Sequence, residues 1–288
     1  MPSTDNKSSN LTILDIKTIA LNQTFSKVSI NGKGKIPTNI EITYDLKSEL
    51  TNVHFKILGK NSTELNLIEQ LHAEIVDTTL YITAISESNK SNFFRNMKLF
   101  WSNEIQIKVI LSKRMVDALY VDLQNGSCKL TGMDVTGDCQ VVTPVGTIEL
   151  DEMNLGSLVL KSAAGKVSLN NSKVLGDTRL ETAAGKVYAH DISVVGTFIG
   201  SSLAGRLDLQ NIVAKHIQAQ TASGSISIDA SGFESIKIDS AAGSIKSTLN
   251  VTNQVEPRIK FGVASGSISS QIKGFQGSWN GRERIGYI

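Results

Sequence analysis

Ser162-Ala163-Ala164-Gly165-Lys166-Val167-Ser168-Leu169 decides the fold, because the C-terminal half of the chain repeats it. It returns as Thr182-Ala183-Ala184-Gly185-Lys186-Val187, and then as Ser202-Leu203-Ala204-Gly205-Arg206-Leu207. Three more copies follow, at Thr221 to Ile226, Ser240 to Ile245 and Val263 to Ile268. Degenerate early copies are Thr143-Pro144-Val145-Gly146-Thr147-Ile148 and Gln124-Asn125-Gly126-Ser127-Cys128. The glycines stand at 126, 146, 165, 185, 205, 224, 243 and 266, with gaps of 20, 19, 20, 20, 19, 19 and 23 residues. A fixed period of this length with strand-type alternation marks a β-solenoid. About eight coils at strand spacing make a column of roughly 38 Å.

Each period carries two alternating runs, which suits two or three half-buried strands per coil. After the main glycine one aliphatic column reads Cys128, Ile148, Val167, Val187, Leu207, Ile226, Ile245 and Ile268. The next reads Leu130, Leu150, Leu169, Ala189, Leu209 and Ile228. Between them lie Lys129, Glu149, Ser168, Tyr188, Asp208 and Ser227. Successive side chains of a strand point to opposite faces, so the aliphatic columns face inward and the mixed column faces water. A second run before each glycine gives inward columns from Cys139 to Ile259 and from Val141 to Phe261. A further glycine recurs at 137, 156, 176 and 196, which fits a second tight corner needing positive φ or close backbone approach. One coil cannot bury enough apolar surface to order itself, so stacking is obligatory.

The expected organisation is a disordered tail at 1–10, an N-terminal β cap region at 11–120, solenoid repeats at 121–270 and a C-terminal cover at 271–288. Strands of the cap are read at Lys27–Ile30, Ile40–Tyr44, Val53–Leu58, Leu80–Ile82 and Ile105–Ile110. Their expected task is to close the first coil, since an open end exposes core and unpaired strand edge. Glu64 to Ile75 reads equally as one helix or two strand fragments. Val251 to Pro257 is expected to bulge as a loop, and Asn280-Gly281 carries a tight-turn dipeptide.

Hydrophobic residues make up 40% of the 288, with 4 prolines and 23 glycines, which is a globular composition. A formal net charge of +2 is too small to point to nucleic acid as a partner. Both cysteines, Cys128 and Cys139, fall in inward columns and read as buried thiols. A disulfide between them would need an oxidising compartment. The first ten residues are polar and no window reaches 18 apolar residues, so no leader and no helical membrane span is read. As written, the chain is expected in the cytoplasm, peripheral to a membrane if an apolar segment inserts, or at the surface if a leader has been removed.

One segment departs from the alternation. Phe93, Phe94, Arg95, Lys98, Phe100 and Trp101 lie within twelve residues and have no acid among them. The structural reading is a hydrophobic loop folded over the core. The functional one is a loop that dips into an anionic membrane surface or docks on another protein. Lys166, Lys186 and Arg206 share one outward column, so three cations stack at about 4.8 Å. They read as a solvated row eased by Glu181 and Asp208, or as a stripe for a polyanion such as a cell-wall polymer or lipid head group. A hydroxyl column, Thr143, Ser162, Thr182, Ser202, Thr221 and Ser240, reads as inward, satisfying corner backbone groups.

These repeats, preceded by Val109-Ile110-Leu111-Ser112-Lys113-Arg114 and Leu119-Tyr120-Val121-Asp122-Leu123-Gln124-Asn125-Gly126, resemble the head-to-repeat join of the bacterial putative adhesin family. That family consists of β-strand-repeat domains of largely unknown function, also found appended to envelope-stress proteins of Gram-positive bacteria. The resemblance covers about residues 25–285 and implies an interaction role in the cell envelope without a defined ligand. Many relatives also carry a leader, a membrane span or a helical module, and none is read in this sequence.

Catalytic chemistry finds little support. Histidines 54, 72, 190 and 216 are scattered without a ligand at metal spacing, and no cofactor motif is present. A β-helix polysaccharide enzyme would need paired or calcium-holding carboxylates. Asp138 and Asp177 are separated by Ser157, and Asp208, Asp229 and Asp239 fall in different columns. The leading expectation is a non-catalytic bacterial binding or scaffold protein. A self-assembling β-helical cytoskeletal element comes second and a polysaccharide-active enzyme third.

Overall fold

A computed structural model describes residues 12–34, 36–59, 71–84, 103–251 and 257–274, with 285–287 as backbone alone. The aromatic–basic segment at 93–101, the tail at 1–10, the Asn280-Gly281 turn and most of the 251–257 bulge lie outside the described residues. Every regular element described is a β-strand. The N-terminal strands are β1 (Thr12–Leu21), β2 (Lys27–Gly32), β3 (Thr38–Tyr44), β4 (Thr51–Gly59), β5 (Leu71–Val76), β6 (Thr79–Ala84) and β7 (Asn103–Leu111). Short strands follow at β8 (Met115–Val116), β9 (Ala118–Leu123) and β10 (Cys128–Thr131), then β11 (Asp134–Val145) and β12 (Ile148–Asp151). The long repeat strands are β13 (Asn154–Val174), β14 (Thr178–Ala204), β15 (Leu207–Ser223), β16 (Ile226–Ser231), β17 (Ser235–Asn250) and β18 (Arg258–Lys273), with β19 (Ile285–Tyr287) last.

The repeats stack in parallel and in register, as a β-solenoid of about eight turns. Val167 lies beside Val187, Val187 beside Leu207, Leu207 beside Ile226, and Ile226 beside Ile245. These positions are fully buried, as are Leu158, Leu160, Leu180, Phe198, Ile217 and Ile236 in the other run. Ile268, last in its column, is 40% exposed because no further described rung covers it.

Each coil has a third inward run. Ile192 and Val194 stack on Ile212 and Ala214, buried like Met133 with Val135 and Met153 with Leu155. A corner of left-handed backbone precedes it, at Asn171 (φ 48°), Asp191 (φ 59°) and Asn211 (φ 54°). Asparagine and aspartate tolerate this conformation better than other L residues. Their side chains also bond along the stack: Asn171 Nδ2 donates to Asp151 at 2.9 Å and Asn211 Nδ2 to Asp191 at 2.7 Å.

The main glycines form the tightest corner. At Gly165 φ is +154°, and a methyl group there would overlap the carbonyl oxygen of Gly146, one rung below. At Gly205 the obstruction is close approach alone, with the oxygen of Gly185 in the way. The hydroxyl three residues before six of the eight main glycines points inward and donates to that same neighbouring carbonyl. Thr143, Ser162, Thr182, Ser202, Thr221 and Ser240 reach Gly126, Gly146, Gly165, Gly185, Gly205 and Gly224 at 3.1–3.4 Å. All six are buried, so the hydroxyl column is structural. The second glycine column needs room, not positive φ: a methyl at Gly137, Gly156 or Gly176 would press on a carbonyl of the preceding rung.

The region before Val121 holds rung strands as well as capping ones. β2 pairs in parallel with β9 on one side and β6 on the other, and β3 likewise lies between β10 and β7. The rung at 27–44 thus sits between 79–111 and 118–131, out of chain order. Beyond it the pairing turns antiparallel, with β4 between β7 and β1, and β5 against β6. At the other end β19 pairs antiparallel with Lys260–Gly262 of β18.

Cys128 and Cys139 are free, buried thiols. Burial pushes the Cys139 thiol up to about 12 and raises Cys128 further, the neighbouring Cys139 adding to the desolvation. The folded thiols stay protonated while those of the unfolded chain ionise at about 8.5. Their contribution to stability is therefore intact below that pH and declines as pH rises above it. Urea titrations should show an alkaline loss that a Cys128→Val/Cys139→Val variant lacks. Gly205→Ala should cost about 3 kcal/mol, since the overlap is with backbone that cannot yield. Thr178, fully buried, has a hydroxyl with no partner, so Thr178→Val should raise stability by about 1 kcal/mol in the same titration.

Candidate binding surface

The register that fills the core also lays the outward side chains in straight rows. On the side made by β1, β4, β7, β3, β10, β12 and the repeat strands, one row runs His54, Lys108, Glu41, Lys129, Glu149, Ser168, Tyr188, Asp208. From Lys108 to Glu149 its charges alternate. The Lys108 ammonium is 3.9 Å from Glu41, and His54 shares a 3.0 Å hydrogen bond with Thr18. Here the surface is a groove of about 770 Å³, walled by Ile16, His54, Lys56, Lys108, Glu41 and Lys129 among others. Part of its lining is tied by polar bonds: Asn39 and Gln106 both donate to Glu104, at 2.8 and 2.9 Å, and the Ser127 amide donates to Asn39.

The cation row continues this side beyond the groove. Lys166 and Lys186 are in register, and Arg206 follows one rung on, where Val187 pairs with Leu207. The three differ in what they touch. Lys166 Nζ sits 4.9 Å from the centroid of the Tyr188 ring, a cation–π contact. Arg206 Nη2 is 3.3 Å from Asp208. Lys186 is exposed and makes no ion pair among the described residues. Asp208 therefore eases the row as expected, but Glu181 does not. It lies on another side of the coil, where Lys161 at 3.1 Å and Arg179 at 3.4 Å hold it. Surface contacts of this kind contribute little stability, so Lys166 and Arg206 can exchange theirs for another partner.

Four of the five carboxylates considered for catalysis, all but Asp229, are held in separate structural contacts. Asp138 accepts from Ser157 at 2.7 Å, Asp177 from the Thr197 amide at 2.8 Å, and Asp239 pairs with Lys237 at 2.9 Å. Among the described residues no group of three His, Cys, Asp or Glu stands together as a metal-ligand set. No helix among them is long and apolar enough to cross a membrane. Sequence reasoning placed Lys129, Glu149, Tyr188 and Asp208 in one outward column. It missed Glu41, Lys108 and His54, which join that row only through the out-of-order rung and the cap.

Comparison with solved structures finds this fold in a bacterial protein and similarity to others. A putative adhesin from Parabacteroides distasonis is 14% identical over 88% of this chain and 97% of its own, with a TM-score of 0.55. A putative adhesin from Bacteroides fragilis is 15% identical over 89% and 97% of the two chains, at a TM-score of 0.40. A putative lipid binding protein from P. distasonis is 16% identical over 90% and 96%, at 0.44. No curated protein matches the chain. The family model for Toastrack DUF4097 matches residues 16–199, from the capping strands through the glycine-cornered rungs, and the chain belongs to that family.

Proposed function

We propose that this is a non-catalytic bacterial binding or scaffold protein of the cell envelope, and that the side bearing the cation row is its contact surface. The family and the adhesin name of the P. distasonis relative accord with a binding role. The observation that carries the reading is the row itself: Lys166, Lys186 and Arg206 at one strand spacing apart, with Lys186 unpaired at its centre. A linear array of charge at fixed intervals suits an extended partner carrying repeated anionic groups. Phosphate is the shared chemistry, supplied either by a polyol-phosphate cell-wall polymer of the Gram-positive type or by lipid head groups. Lys166 and Arg206 gain by leaving weak surface contacts for phosphate, and Lys186 has nothing to give up.

Such attraction between exposed charges is screened by salt. Full-length protein should be retained on immobilised polyphosphate at low ionic strength and released as salt rises. The triple variant Lys166→Ser, Lys186→Ser, Arg206→Ser should elute at clearly lower salt with an unchanged melting curve. Co-sedimentation with phosphatidylglycerol–phosphatidylcholine vesicles, against phosphatidylcholine alone, separates the lipid source from the polymer. Identical elution of wild type and variant would remove the row from any binding role.

A further inference from the structure

A second side of the stack, made by β5, β6, β2, β9 and β11, carries two tyrosines in a row that starts at the exposed Glu74. Tyr81 is in register with Ser29, Ser29 with Tyr120, and Tyr120 with Gln140. The tyrosines are 43% and 40% exposed, with a short serine between them. Two strand spacings separate them, about 9.6 Å. The other tyrosines with described side chains are engaged, Tyr44 beneath Arg114 and Tyr188 beneath Lys166. Among the described residues Tyr81 and Tyr120 make no hydrogen bond and no ring contact. One adjoining row is polar, with Thr83, Asn31 and Asp122 side by side and Asp122 neutralised by Lys33 at 2.6 Å, and the other holds the exposed Lys27 between Thr79 and Ala118.

We propose that Tyr81, Ser29 and Tyr120 form a platform for a neutral β-1,4-linked glycan lying along the stack. A pyranose presents an apolar C–H face that stacks on a phenol ring while its hydroxyls seek hydrogen bonds. In a flat β-1,4 chain each sugar advances about 5 Å, close to the strand spacing of about 4.8 Å, and is turned over relative to the last. Alternate sugars therefore present the same face at intervals matching the separation of the two tyrosines. The sugar between them sits over Ser29, where a larger side chain would lift it away. Gln140, Asn31 and Thr83 supply donors and acceptors at the rim. Between Glu74, in register with Tyr81 at one end, and Arg179, two rungs past Gln140 at the other, the four positions Tyr81, Ser29, Tyr120 and Gln140 are uncharged, in contrast to the cation row. A glycan platform rests on the binding role proposed above but on a different side of the molecule.

Calorimetric titration of the full chain with cellohexaose and chitohexaose tests it, with maltohexaose as the α-linked control. Saturable binding of at least one β-1,4 hexasaccharide is expected, and the preferred one identifies the sugar type. Tyr81→Ala and Tyr120→Ala should each weaken binding about tenfold or more. Tyr81→Phe and Tyr120→Phe, which keep the ring, should stay near wild type. All four variants should keep the wild-type retention on polyphosphate. No saturable binding of either β-1,4 ligand, equal binding of maltohexaose, or alanine variants indistinguishable from wild type would overturn the platform. Loss of polyphosphate retention in the cation-row variant bears only on the other side.

Discussion

Backbone lies directly on backbone at the corner glycines, and the rest of the structure depends on that contact. Gly165 meets the carbonyl of Gly146 with no space for a β-carbon, and the Ser162 hydroxyl donates to the same oxygen. Sterics and hydrogen bonding thus select one register together. A slip of one residue would set a side chain against a carbonyl and send the inward columns outward. With the corner fixed, Val167 must stack on Val187 and Lys166 on Lys186. The apolar core and the surface rows are two readings of one alignment.

The part of this that repeats along the chain was legible. Glycine spacing gave the parallel rungs, the Ser/Thr column its inward bonds to corner carbonyls, and the position after the glycine its row of cations. The third inward run stayed hidden because its corner is made by Asn171, Asp191 and Asn211 and not by glycine. A left-handed residue there breaks the two-residue alternation, so Ile192 and Val194 fall out of phase with Val187 and Ala189. Val28, Ile30, Ile40 and Ile42 carry the same inward pattern as a repeat, but their neighbours in the stack come from residues 79–111 and 118–131. No period connects them. The groove and the Tyr81–Ser29–Tyr120 row were unreadable for the same reason, being assembled from strands that are distant and out of sequence order.

A solenoid of this kind offers long, straight, repetitive faces. Its core is spent on stacking, its thiols are sealed within, and Asp138, Asp177, Asp208 and Asp239 serve in hydrogen bonds and surface ion pairs. Specificity has to come from rows, each a line of side chains at strand spacing. One side carries cations beside a groove of alternating charge, and another carries tyrosines flanked by polar groups. Partners that are themselves periodic match such rows best, which is the physical sense in which an interaction role fits this chain of the Toastrack DUF4097 family.

Spin–spin distance measurements test the stacking most directly. Pro144, Ala222, Ala241 and Ala264 are exposed members of one corner column, flanked by in-register pairs on either side. With Cys128 and Cys139 replaced by valine, nitroxides placed at 144 and at one of the other three positions lie four, five or six rungs apart. The distances should rise evenly, to about 19, 24 and 29 Å, by one strand spacing per rung. Distances that fail to grow with the number of intervening repeats, as in an antiparallel sandwich or barrel, would contradict the parallel stack and with it every surface row described above.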